Sequence, residues 1–161
     1  MRVVLQRVSS AKVTIDNKVH GKIGKGLVLL IGVADIDTEE DVTYCVNKCA
    51  GMRIFEDEND KMNLSLLDIG GEILAISQFT LLGNTRKGRR PSFIEAADPQ
   101  KGNDFYELFI KLLKEKNIKV ETGVFGAMMD VKLTNRGPVT IIVDSKLDRI
   151  ESRRGNIRQH E

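Results

Sequence analysis

Histidine is almost missing from this chain: His20 and His160 are the only two in 161 residues. Neither stands in a pattern that would hold a base beside a nucleophile, so a Ser-His-Asp triad has nowhere to form. Cysteine is equally scarce. Cys45 and Cys49 lie one helical turn apart, with no second Cys or His pair to complete a zinc set and too few partners for a disulfide framework. They read as two reduced thiols packed under a helix. No apolar run approaches the roughly 20 residues that a membrane span needs. The opening Met1–Leu5 is interrupted by Gln6 and Arg7 before a signal core can develop, so the chain is expected in the cytoplasm, with no membrane partner. Charge of one sign is also lacking. The net charge of +2 gives no whole-molecule attraction to nucleic acid, and only local clusters can supply one.

What is present is the balance of a globular domain, with 41% hydrophobic and 30% charged residues. Residues 2–15 alternate at period two and read as a strand. Asp16-Asn17 is a turn, and Lys18 to Ile23 is the returning strand. Leu27 to Val33 is a buried strand. Asp35 to Asp41 opens a helix, capped by Asp37 or Thr38, with Val42, Cys45, Val46, Cys49 and Met52 on its inner face. Phe55 to Leu66 reads as a hairpin and Ile73–Ile76 as a strand. Residues 83–103 read as loop, and Asp104 to Lys116 as a second helix. Ile118–Val120 reads as a short strand. A last strand pair, Val124 to Val143, is interrupted at Asn135–Pro138. The order predicts an α/β (α+β) domain over 1–144: a mixed, largely antiparallel, curved, barrel-like sheet covered by two main helices. Residues 145–161 read as a polar, flexible tail, helical in part through Ile150.

Two inviting patterns carry little. Gly21-Lys22-Ile23-Gly24-Lys25-Gly26 is followed by Leu27 and joins two strands, so a hairpin turn explains it better than a phosphate loop. Glu56 to Asp60 is acidic but lacks the spacing of a calcium loop. No metal or cofactor is expected. A hydrolytic reading then has to rest on positioning and backbone electrostatics.

Two segments remain. Ser77-Gln78-Phe79-Thr80 follows a buried strand and places three hydrogen-bonding side chains in four residues. Thr80 is a candidate nucleophile, or its N–H a candidate oxyanion donor; the plain alternative is a strand end that satisfies its own backbone. Asn135-Arg136-Gly137-Pro138-Val139-Thr140 interrupts apolar strand. Pro138 removes a ladder donor, so the site is an edge, a bulge or a turn, and a Gly-Pro bond is free to be cis.

Together these segments resemble the D-aminoacyl-tRNA deacylase family, whose motifs Ser-Gln-Phe-Thr and Asn-x-Gly-Pro-Val-Thr are intact at 77–80 and 135–140. Met1 to Val8, Lys61-Met62-Asn63, Lys87 to Phe93 and Thr122 to Met129 are similar to the family as well, in order, over roughly residues 1–144. The resemblance implies a homodimeric hydrolase that cleaves the ester joining a D-amino acid to tRNA, or glycine mischarged on tRNA(Ala). It implies that Ser77, Gln78, Phe79 and Thr80 form the catalytic segment. It further implies that a cis Gly137-Pro138 reaches into the partner's site and rejects L-residues.

Two mechanisms fit that family: Thr80 attacking, or a backbone oxyanion site assisted by the 2′-hydroxyl of the tRNA. With no base in sight to activate Thr80, the second is favoured. Phe79, Phe125 and Met129 are candidates for an adenosine pocket. Arg86, Lys87, Arg89 and Arg90 are candidates for tRNA phosphates. The rival readings are an editing domain like those attached to some archaeal threonyl-tRNA synthetases, and a non-catalytic RNA-binding module.

Overall fold

One long strand organises the molecule. In the computed structural model, which describes residues 1–150, β1 (Arg2–Ile15) pairs antiparallel with three others. Its first half pairs with β3 (Gly26–Gly32) and its second half with β2 (Lys18–Ile23). β8 (Asp130–Asp144) runs along nearly its whole length. Beyond β3 the pairing turns parallel, to β6 (Glu72–Ser77) and then β7 (Val120–Thr122). The sheet curls until His20 of β2 meets the carbonyl of Thr122, with Nδ1 2.7 Å from that oxygen. The result is the nearly closed, mixed sheet that the order of elements predicts. A separate hairpin, β4 (Phe55–Glu56) with β5 (Met62–Leu64), stands where the acidic turn was expected.

Two cores follow from the strand periodicity. Val3, Leu5, Leu27, Leu29, Ile31, Ile73 and Ala75 face α1 (Glu39–Gly51) and α3 (Pro99–Glu115), packing on Val42, Cys45, Cys49, Phe109 and Leu113. The opposite side chains, Val28, Leu74 and Ile76, meet Val8, Ala11, Val13 and Ile23 inside the curl. Gly26 joins strands rather than cradling a phosphate: a Cβ there would lie 1.8 Å from the carbonyl oxygen of Glu72. Both cysteines are free and buried in the first core, as expected.

Several boundaries differ from expectation. Of the two caps expected for α1, Thr38 is the one used, with the helix beginning at Glu39 and the Asp41 carboxylate accepting the Thr38 N–H at 2.8 Å. Asp37 instead is buried against the ammonium of Met1 and accepts the Ala34 N–H at 2.7 Å. α3 begins at Pro99, five residues before the expected Asp104. Asp98 caps it by accepting the Lys101 N–H at 3.0 Å, and proline is at home in a first turn, where no intrahelical donor is needed. A single helical turn, α2 (Leu66–Ile69), closes the β4–β5 hairpin, with Ser65 as cap. The short strand near Ile118 lies two residues later, at β7.

The expected strand pair from Val124 to Val143 is not a pair. Residues 123–129 form a loop, and β8 is one strand. Gln6 pairs with Thr140 and Val8 with Asn135, so Arg136–Val139 bulge out where β1 advances only from Gln6 to Val8. Residues 145–150 are helical. Ser145 is buried and donates its N–H to the Met1 carbonyl at 3.0 Å, while Lys146 and Arg149 pair with Asp41 at 3.2 and 2.9 Å. Residues 151–161, the rest of the expected tail, lie outside the described residues.

Candidate active site

β6 delivers Ser77 to the rim of the sheet, paired with Ile31, and the chain then tightens into a 3-10 turn over Phe79–Leu82. Gln78 donates its N–H to the Ile31 carbonyl at 2.8 Å, and its own carbonyl accepts from Leu81 at 3.2 Å. The turn is pinned from outside by Arg2, which donates to the Leu81 carbonyl at 2.7 Å and to Asp144 at 3.0 Å. The first N–H groups of such a turn have no partner within it. Here those of Phe79 and Thr80 have none elsewhere among the described residues. The Gln78 side-chain amide donates to the Thr80 hydroxyl oxygen, and Thr80 is exposed.

A cavity of about 600 Å³ opens beside this turn. Ser77, Gln78 and Phe79 form one wall, Phe125 and Met129 another, and Phe93 the rim. Thr80 is not part of the lining. Phe79 is 56% exposed and meets Phe93 edge to face, with centroids 5.2 Å apart. Gly102 of α3 leaves the space that Phe125 fills, since a Cβ there would lie 3.3 Å from the ring. Met129 is held by the loop itself: the Val124 N–H donates to its sulfur at 3.4 Å. No side chain lining the cavity is titratable. Apart from the Ser77 hydroxyl and the Gln78 amide the walls are apolar, so the cavity holds no acid or base from this chain.

The four cations Arg86, Lys87, Arg89 and Arg90 are exposed on a loop closed by paired hydrogen bonds between Asn84 and Ser92, at 2.7 and 2.9 Å. Gly88 takes φ 65° at its tip. None of the four forms an ion pair among the described residues. The loop leads into Phe93, which lines the cavity, while none of the four cations does.

Gly137-Pro138 is cis, at the crest of the β8 bulge. Both residues are exposed. The bulge is braced from both sides. Asn135 accepts the Val139 N–H at 2.8 Å and donates to Thr140 at 2.9 Å. Arg7, almost fully buried, donates from Nε to the Arg136 carbonyl at 2.8 Å. Its Nη1 donates to the Ile54 carbonyl at 2.9 Å and to Glu56 at 3.2 Å. The sequence reading missed both Arg7 and Arg2. Arg7 carried a signal: it is in phase with the buried Val3 and Leu5, where a cation needs a fixed partner.

Within one chain the two motifs stay apart. Ser77 is level with Ile31, and Ile31 with Val3, whereas Gly137 lies near the level of Arg7. That is about 13 Å along the strands and about 14 Å across three strand spacings. Gly137 and Pro138 do not line the cavity.

The sequence model of the family described as D-Tyr-tRNA(Tyr) deacylase matches residues 4–144. The chain belongs to that family. The D-aminoacyl-tRNA deacylase of Bacillus velezensis is 58% identical over 146 residues, covering 91% of this chain and 99% of the relative. That of Anoxybacillus flavithermus is 60% identical, covering 91% and 100%. Among solved structures, one described as c-Myc DNA Unwinding Element Binding Protein superimposes with a TM-score of 0.84 at 36% identity, covering 89% of this chain and 98% of that one. A probable eukaryotic D-amino acid tRNA deacylase superimposes at 0.76 with 21% identity, a likeness of fold. The chain is accordingly a hydrolase with D-aminoacyl-tRNA deacylase activity. Among the described residues no helix is long and apolar enough to cross a membrane, and no group of three or more His, Cys, Asp or Glu is placed to hold a metal ion.

Proposed function

We propose that this deacylase acts in the cytoplasm as a homodimer, with each site built from Ser77–Thr80 of one protomer and Gly137-Pro138 of the other. The observation that carries this reading is the separation of the two motifs within one chain, while both are exposed and each is rigidly braced. A second copy brings an exposed Gly-Pro crest to an exposed cavity mouth without any rearrangement of either.

Such a crest excludes by shape. A side chain of L configuration points into main-chain atoms whatever its chemistry, whereas a D side chain points away. Glycine has nothing to exclude, so glycyl-tRNA mischarged on tRNA(Ala) is a substrate on the same grounds. The terminal adenosine lies among Phe79, Phe125 and Met129, and Arg86, Lys87, Arg89 and Arg90 take phosphates of the acceptor stem.

For the ester cleavage, the N–H groups of Phe79 and Thr80 receive the developing oxyanion. The bond to Gln78 occupies one lone pair of the Thr80 hydroxyl and supplies no base. The vicinal 2′-hydroxyl of the terminal adenosine, adjacent to the ester in every substrate, assists the attacking water. The test uses D-tyrosyl-tRNA(Tyr) ending in 2′-deoxyadenosine. Hydrolysis slower by at least about 100-fold is expected, in line with loss of a positioned proton-transfer group. An unchanged rate overturns the 2′-hydroxyl role. Comparison of D-tyrosyl-, L-tyrosyl- and L-seryl-tRNA separates this reading from a threonyl-type editing domain.

A further inference from the structure

Three lysines face outward side by side on three adjacent strands. Lys12 of β1 is directly paired with Lys22 of β2 on one edge and with Lys132 of β8 on the other. The next row, Ile23–Ala11–Leu133, faces inward onto the second core, so the pleat fixes the lysine row on the outside. Lys22 and Lys132 are exposed and Lys12 is half-buried between them. None forms an ion pair among the described residues, although the chain carries 23 acidic residues from which a partner could be drawn. Like charges directly opposite on neighbouring strands destabilise a sheet. A ladder of three therefore costs stability in the free protein, and an anion is what relieves it. The hydroxyls of Ser10 and Thr134, themselves a cross-strand pair, adjoin the row, and a shallow depression of about 250 Å³ lies over both.

We infer that the Lys22–Lys12–Lys132 ladder, with Ser10 and Thr134, binds the ribose-phosphate backbone of the substrate tRNA beyond its 3′-terminal nucleotide. The inference rests on the deacylase reading for its partner. That activity brings one polyanion to this chain, and position argues that it reaches the ladder. Val131 lines the cavity beside Ser77–Phe79, and Lys132 follows it in β8 on the opposite face. The ladder thus begins one residue from the cavity wall, about 3.8 Å along the chain. The basic loop 86–90 approaches the same cavity through Phe93, and a 3′ end entering the cavity leaves the following nucleotides within reach of the row. Three ammonium groups with no acidic partner suit phosphate oxygens, and sequence-independent contacts suit an enzyme acting on many tRNAs.

The test is the triple variant Lys12→Gln, Lys22→Gln, Lys132→Gln, assayed on full-length D-tyrosyl-tRNA(Tyr) and on 3′-D-tyrosyl-adenosine, which has no phosphate backbone. On the full tRNA, kcat/KM at about 150 mM salt is expected to fall about 10- to 100-fold, and the slope of log kcat/KM against log salt to flatten by about 2 to 3 for three phosphate contacts. Activity on the adenosine ester should stay within about twofold, and the melting temperature should hold or rise as the like charges are removed. Binding of uncharged tRNA, read by anisotropy, should weaken to the same degree as kcat/KM. Wild-type-like binding and turnover of tRNA overturn the inference, as does an equal loss on both substrates. If the unaltered protein hydrolyses neither substrate, the deacylase reading fails while the binding measurement still decides the ladder.

Discussion

The Nε of Arg7 donates to the carbonyl oxygen of Arg136 at 2.8 Å, one residue before the cis Gly137-Pro138 bond. A buried guanidinium on β1 thus holds the base of an exposed crest on β8. Replacing Arg7 by Ala leaves the carbonyls of Arg136 and Ile54 without their donor, at about 1–3 kcal/mol each. Lys cannot restore the fork with one ammonium. Both variants should lose stability, and deacylation of D-tyrosyl-tRNA should fall about 100-fold, as expected for a displaced positioning element. Thermal unfolding and paired kcat/KM measurements on D- and L-substrates check this. Normal rates with normal chirality would detach Arg7 from the crest.

Thr80 separates two mechanisms through two substitutions. Thr80→Ala removes the hydroxyl and keeps the N–H, and should retain activity within about tenfold, the loss reflecting only the Gln78 contact. Thr80→Pro removes the N–H in a first turn, where proline is tolerated, and should cost about 100- to 1,000-fold, the range for an oxyanion donor. Single-turnover assays on D-tyrosyl-tRNA read both. Abolished turnover in Thr80→Ala, with tRNA binding intact, makes Thr80 the nucleophile after all.

Acid should loosen the helical segment 145–150. Burial pushes the Asp41 carboxyl up, but the Thr38 N–H, Lys146 and the nearby N-terminal ammonium outweigh it and hold the group well below the usual carboxylate range. A depressed folded-state value means stability that is complete above about pH 4 and lost as pH falls below it. Asp41→Asn should cost about 1–3 kcal/mol at neutral pH and flatten the acid limb of the stability profile. Denaturant unfolding between pH 2 and 7 measures both effects, and an unchanged acid limb excludes Asp41 as its source.

The two thiols should be silent. Burial in the first core pushes Cys45 up to about 12 and Cys49 higher still. At pH 8 neither is a thiolate, and neither is reachable. A chromogenic disulfide reagent should label both only after unfolding, and rapid labelling of the native protein would contradict the packing under α1.

The alternation at Val3 and Leu5 and the apolar run at Leu27–Ile31 made the sheet legible, because buried strands advertise themselves by period. The start of α3 was not legible: Pro99 and Gly102 read as loop when taken singly, and only tertiary packing explains them, with Asp98 as cap and Gly102 making room for Phe125. At Pro138 the sequence leaves edge, bulge and turn open; the structure has the bulge, inside one strand where a strand pair is expected. Proline signals a lost ladder bond, but whether the chain rejoins the same partner strand depends on β1, which local sequence does not reveal. Within the site, Ser77–Phe79, Phe125 and Met129 converge on one cavity although about 50 residues separate them in sequence. Arg7 and Arg2 escaped notice because their roles lie in carbonyls 129 and 79 residues away.

The measurement that bears most directly on the central claim is complementation between two inactive variants. In Gly137→Ala, a Cβ would lie 2.8 Å from Nη2 of Arg7 and 2.9 Å from Cγ2 of Val139, so the crest must shift. Thr80→Pro disables the oxyanion turn. Unfolded together and refolded at equal amounts, half of the dimers should be mixed, and each mixed dimer should hold one site with both wild-type elements. The account predicts recovery of roughly a quarter of wild-type deacylation, the statistical share for a shared site under the isologous symmetry of a two-fold dimer. No recovery, with mixed dimers demonstrably formed, would contradict a site built across two chains.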